Sequence, residues 1–318
     1  MNRPTTESVR QGVDELRFFP RAQRELVRNR YLYLMLVPVI LFYVIFHYAP
    51  MYGLIIAFKD YIPTQGMWKS PWVGFRHFVS FFTSVYAWRL IRNVILINIY
   101  NLVFQFPAPI ILALLLNEIR ITSYRRVVQT ITYLPHFVSI VIIVGLMMDF
   151  LSREGVVNRL ILAVTSEPIP FFTDPRWFRT LYVSSNIWQT TGWSSIIYLA
   201  ALTSINPELY EAAAADGAGR WRQVWNISLP GLLPTTVILF IMRMGRMMTV
   251  GFEKILLMYN ALTYETADVI STFVYRRGLI MADFSYSTAV GFVNAIINFT
   301  LLVAVNRLAR RVGDTSLW

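Results

Sequence analysis

Six apolar stretches, approximately 31–57, 93–117, 127–150, 180–204, 231–252 and 287–306, constrain this chain more than any other feature. As a helix each is long enough to cross about 30 Å of hydrocarbon, which takes about 20 predominantly apolar residues. A water-soluble protein of 318 residues could hide some apolar helices, but not this many. With 56% hydrophobic and only 15% charged residues, the solvent this sequence fits is lipid. The expected fold is an all-α polytopic membrane protein with six transmembrane helices, and the even number puts both termini on one side.

The +11 formal charge does not indicate nucleic acid, because the basic residues collect at the ends of apolar runs and form no stripe interleaved with stacking aromatics. Fifteen Lys and Arg fall in residues 1–30, 119–126, 205–230 and 307–318, close to helix ends, and 12 in the longer segments opposite. That bias makes the first set cytoplasmic. Residues 1–30 then form a cytoplasmic N-terminal segment, 31–306 the six-helix domain and 307–318 a cytoplasmic tail. The N-terminal segment is too long for the n-region of a signal peptide, and no small-residue cleavage site follows the apolar run after it. The chain has no cysteine, and His47, His77 and His136 have no ligand spacing, so no metal site is expected.

Pro38, Pro50, Pro107 and Pro109 predict kinks in the first two spans. Between those spans, Gly74 to Arg92 has the aromatic content of an amphipathic helix lying at the outer interface. The outer segment Arg153 to Arg179 is either a landing surface for an external partner or an unspecialised loop.

The inside segment 205–230 has legible local physics. Asn206 caps a helix with Pro207 at its first position, Glu208 suits the positive helix end, and Ala212 to Ala215 favour helix. Gly217 stops it, Gly219 allows a second turn, and Ser228 and Pro230 open the fifth span. The alanines let another surface approach closely, or they only raise helicity. Glu211 and Asp216 offer charge to a basic partner.

Glu211-Ala212-Ala213, three residues, Gly217, nine residues and then Ile227-Ser228-Leu229-Pro230 resemble the EAA loop of permeases in binding-protein-dependent ABC importers. The resemblance implies the type I importer permease fold in a bacterial cytoplasmic membrane. It makes 205–230 the coupling loop, with Glu211, Ala212, Ala213, Asp216, Gly217, Ile227, Leu229 and Pro230 as the ATPase-coupling residues. Similarity covers roughly residues 28–312 and is nearest to carbohydrate permeases of the maltose-transporter class. Met51-Tyr-Gly-Leu54, Leu116-Asn-Glu118, Tyr133-Leu-Pro-His136 and Gly251-Phe-Glu-Lys254 look like the branch importing complex oligosaccharides, alginate importers among them. The implied partners are a second, different permease, two ATPase subunits and an extracytoplasmic solute-binding protein. ATP and magnesium would sit on the ATPase, and this chain would hold no cofactor.

Arg243 and Arg246 lie within the fifth apolar stretch, about 18 and 22 Å from its start at 1.5 Å per residue. An arginine at mid-membrane costs roughly 2.5–3.5 kcal/mol even on the lenient scale, so the pair either faces a polar cavity or snorkels to the headgroups. Carried over from the maltose permease, the substrate-pathway positions fall on Gln189, Thr190, Trp193, Arg243, Arg246 and Met247. Residue types differ there, so the sugar does not transfer. Paired guanidiniums suit carboxylates and therefore an acidic, alginate-like oligosaccharide, with a neutral one as the alternative. Trp193 is either a pyranose platform or core. A secondary transporter is disfavoured because no carboxylate lies mid-span. An enzyme is disfavoured too, since the sequence has no paired-histidine metal motif, nucleophile elbow or P-loop, and ATP must be hydrolysed by another chain.

Overall fold

The computed structural model describes residues 28–165 and 167–312, so most of the expected 1–30 segment and the end of the 307–318 tail lie outside the described residues. Among the described residues there are helices and an isolated antiparallel bridge between Lys59 and Trp72, but no strand. The chain divides between Ile55 and Ile56 into two units. In the first, α1 (Arg30–Tyr43) passes through a π-helical turn, Val44–Tyr48, into a 3-10 helix beginning at Ala49.

That π turn answers to a proline, and the same device recurs in the second unit. Proline lacks an N–H, and its ring crowds the carbonyl four residues back. For Pro50, Pro107 and Pro230 that carbonyl belongs to Phe46, Val103 and Asn226, inside the π turns 44–48, 101–105 and 224–228. The wider turn relieves the clash and re-pairs the backbone, as in the 2.9 Å bond from Phe106 N–H to the Asn101 carbonyl. The kink expected in the second span is therefore absorbed within the continuous helical run Val85–Glu118.

In the second unit a short helix at Gly66–Lys69 precedes α2 (Arg76–Thr83) and α3 (Val85–Tyr100), which continues into α4 (Pro107–Glu118). After α5 (Thr122–Tyr133) and α6 (Ile140–Phe150) comes α7 (Pro175–Thr203), with the short α8 (Pro207–Ala215) before α9 (Leu229–Met244). Then α10 (Phe252–Met258) and α11 (Ile270–Tyr275) lead to α12 (Phe284–Val312). The core forms around α7. Its Phe178 and Tyr182 join Leu90 and Val94 of α3, Ile255 of α10 and Phe273 of α11, while its Tyr198 and Leu202 join Leu116 of α4 and Leu232 of α9. A Cβ at Gly192 would come within 2.0 Å of the Thr132 carbonyl, so glycine is what lets α7 cross α5 at backbone contact.

Among the described residues four helices are both long and apolar enough to cross a membrane, and α5 with α6 makes a fifth if the bent pair is one span. Although 29 residues long, α7 is not among them, because Ser184, Asn186, Gln189, Thr190 and Ser194 dilute its hydropathy. Of these, Asn186, Gln189 and Thr190 bond to groups on other elements, which the hydrocarbon permits.

Three expectations change. The third span, expected as one helix over 127–150, bends by 98° between Phe137 and Ile140. Pro135 tightens the end of the first half into a 3-10 turn, and the Ser139 hydroxyl accepts from Ile142 N–H to cap the second. The fifth span, expected over 231–252, ends at Met244. Its peeled-away backbone is caught by side chains, Asn98 Nδ2 donating to the Met247 carbonyl at 2.6 Å and Met248 N–H donating to Asn298 Oδ1 at 2.8 Å. The segment 74–92 is two helices parted at Ser84, and Phe81 is buried in the core instead of lying at headgroup level.

On the non-cytoplasmic side of the expected topology, buried Asp268 gathers Arg276 at 2.6 Å and Arg89 at 3.7 Å. Burial opposes the charge of Arg276, but hydrogen bonding to Asp268 outweighs it and holds the guanidinium pKa above its usual value.

Candidate functional site

The loop 205–230 folds as its residues dictate. Asn206 Oδ1 accepts from Glu208 N–H at 3.1 Å, with Pro207 at the first helical position. At the other end, Ala218 N–H reaches the Ala213 carbonyl at 2.8 Å and Gly217 N–H the Ala214 carbonyl at 3.0 Å, the paired bonds of a Schellman motif. That geometry needs a left-handed residue, and Gly217 has φ +76°. Glu211, Ala212, Asp216 and Gly217 are exposed and Ala213 half-buried, so α8 presents a small-residue surface with a carboxylate near each end.

Two contacts tie this loop to membrane helices. Tyr210 Oη and Ser228 Oγ lie 3.0 Å apart, joining α8 to the π turn that opens the fifth span, where Ile227 and Leu229 are half-buried and Pro230 is exposed. Arg220 donates to Glu118 Oε2 at 3.2 Å, joining the loop to the end of α4. A push on α8 therefore reaches both long runs.

The six residues expected on the substrate pathway do not form one cluster. Arg243 Nη2 donates to Gln105 Oε1 at 2.7 Å, Gln105 Nε2 donates to Thr190 Oγ1 at 3.0 Å, and Thr190 donates to the Asn186 carbonyl at 2.8 Å. A cavity of ≈ 190 Å³ opens beside this chain, lined by Gln105, Phe106, Thr190, Ser194, Tyr198 and Arg243. Around α7 from it, Gln189 accepts from Lys254 at 3.4 Å and donates to the Val138 carbonyl at 3.4 Å. Trp193 stacks on His136, centroids 4.6 Å apart and planes within 1°, so one indole face is taken and a sugar ring could use only the other.

Arg243 does not snorkel away: it points to Gln105, near the middle of the 34-residue run Val85–Glu118. Arg246 lies past the end of α9 in a turn and is exposed, so the two arginines, expected to act as a pair within the fifth span, do not share a helix. Met247 contributes its carbonyl to Asn98. Sequence reasoning assigned no role to Gln105, Asn186, His136 or Lys254. The signal available was the polar stripe Asn98, Asn101, Gln105, recurring at helical spacing in an otherwise apolar span.

Residues 105–314 match the family described as the binding-protein-dependent transport system inner membrane component. Protein LplB of Bacillus subtilis (strain 168) is 45% identical over 294 residues, 92% of each chain. The polygalacturonan/rhamnogalacturonan transport system permease protein YteP of the same organism is 42% identical over 319 residues, 99% of each. Among solved structures, a chain of a bacterial ABC transporter involved in the import of the acidic polysaccharide alginate superposes with a TM-score of 0.86 at 46% identity, covering 92% of this chain and 99% of that one. A bacterial alginate ABC transporter in complex with an alginate pentasaccharide-bound periplasmic protein gives 0.87, also at 46% identity, over 93% and 100%. This chain belongs to the inner membrane components of binding-protein-dependent transport systems, and is a multi-helix sugar permease of an ABC importer that is not itself catalytic.

Proposed function

We propose that this permease takes up an acidic, alginate-like oligosaccharide handed over by an extracytoplasmic binding protein. In this reading it pairs with a second, different permease on two ATPase subunits, which hold ATP and magnesium, and α8 seats in the ATPase. Both termini are cytoplasmic. The observation that carries the substrate assignment is Arg243, a guanidinium turned into a cavity with a neutral amide for its partner. Among the described residues neither Arg243 nor Arg246 is ion-paired, so the cavity keeps its positive potential. In a low-dielectric site such a charge attracts carboxylates more strongly than in water. The import of alginate and the transport of polygalacturonan by its relatives agree with this chemistry.

The test is uptake by the complete complex in proteoliposomes. Arg243→Gln should lower uptake of an acidic oligosaccharide about tenfold or more, the scale of a lost charge-assisted hydrogen bond, with assembly on the ATPase retained. Wild-type uptake by the Arg243→Gln, Arg246→Gln double variant would sink the acidic substrate and turn the search to neutral sugars.

A further inference from the structure

Asp268 and Lys254 are both buried charges, 0% and 3% exposed, and they are treated differently. Asp268 is neutralised by Arg276 and Arg89 and accepts from the Thr272 hydroxyl. Lys254 has no carboxylate within ion-pair distance among the described residues. Its ammonium, with three donors, has Asn186 Oδ1 at 2.8 Å and Gln189 Oε1 at 3.4 Å. Amide oxygens satisfy hydrogen bonds but supply no compensating charge, and a buried charge without one is costly.

The place of this ammonium gives that cost a use. Asn186, Gln189 and Thr190 belong to one turn of α7, and the chain that begins at Arg243 reaches this turn at Thr190. Lys254 and Arg243 thus stand at opposite ends of a polar ladder across a single helical turn, both on neutral partners. Asn186 and Gln189 are half-buried, so the ammonium lies one side chain beneath the surface they form, and a four-carbon stem can carry it out.

We propose that Lys254 is a further specificity-determining residue of the transport path, a second carboxylate contact that takes one uronate of an acidic oligosaccharide while Arg243 takes another. This rests on the acidic-substrate reading. Neutral partners suit such a role: an ammonium held by amides can exchange them for a passing carboxylate and recover them afterwards, whereas a fixed ion pair would compete with the cargo.

The experiment replaces Lys254 by Arg, Gln and Glu in the complete complex and measures proteoliposome uptake of an acidic oligosaccharide together with binding-protein-stimulated ATP hydrolysis. Uptake should follow side-chain charge: within about threefold of wild type for Lys254→Arg, about tenfold down for Lys254→Gln and lower still for Lys254→Glu, with ATPase stimulation retained in the first two. Equal losses in all three variants, or a parallel loss of uptake and stimulation, would make Lys254 a strut between α10 and α7 and overturn the proposal. So would a counter-carboxylate from the second permease, revealed if an acid-to-amide change in that subunit restores Lys254→Gln. Should Arg243→Gln cut uptake while Lys254→Gln does not, this inference alone falls. Should neither matter, the acidic-substrate reading falls with it.

Discussion

The loop 205–230 and the polar ladder across α7 both interrupt an apolar chain, but they are held in different ways. Each bond that shapes α8 joins residues a few positions apart, such as Glu208 to Asn206 and Ala218 to Ala213. The ladder joins residues 138, 85 and 68 positions apart, Arg243 to Gln105, Gln105 to Thr190 and Lys254 to Asn186. The loop should therefore tolerate changes in the membrane helices and fail only when its own backbone is altered. The ladder should respond to changes in any of the helices that carry it.

The largest effect is expected at the loop. Gly217→Val forces a β-branched residue to φ +76° and should abolish transport while membrane insertion, measured in the membrane fraction, stays intact. A Cβ there meets nothing within 4 Å, so the penalty is one of backbone alone, and Gly217→Asn should keep much more uptake than Gly217→Val. Equal loss in both would mean that the surface, not the turn, is what matters. Ala213→Trp probes that surface separately and should abolish transport through contact with the ATPase; normal uptake by this variant would remove the loop from coupling.

A smaller effect is expected within the ladder. Gln105→Leu removes the acceptor of Arg243 and the donor to Thr190, and should lower uptake several-fold without loss of assembly, as breaking a buried polar network does. Uptake at the wild-type rate would show that the two ends of the ladder act independently. Arg246→Gln should cost less than about threefold, because this exposed side chain lies beyond the helix end, where charge interactions are screened. A loss equal to that of Arg243→Gln would place Arg246 back on the path.

The smallest effect is expected from Asn206→Ala. It removes a cap worth about 1 kcal/mol to α8, which should appear as faster amide exchange over 207–215 with transport almost unchanged near room temperature. A large transport defect would show that helix fraying itself uncouples the ATPase.

What the sequence determined on its own follows from short-range physics. Apolar length made the membrane helices recognisable, prolines marked the turns at 44–48 and 101–105, and Asn206, Pro207 and Gly217 defined α8, because each effect reaches no more than about five residues along the chain. Only the tertiary structure decided that α9 stops at Met244, where Asn98 and Asn298 satisfy the backbone it releases, and that Arg243 turns inward while Arg246 does not. It also decided the partners of Gln105 and Lys254. A buried polar side chain must be satisfied by whatever group the packing brings to it, and in this chain those groups come from helices tens to hundreds of residues away.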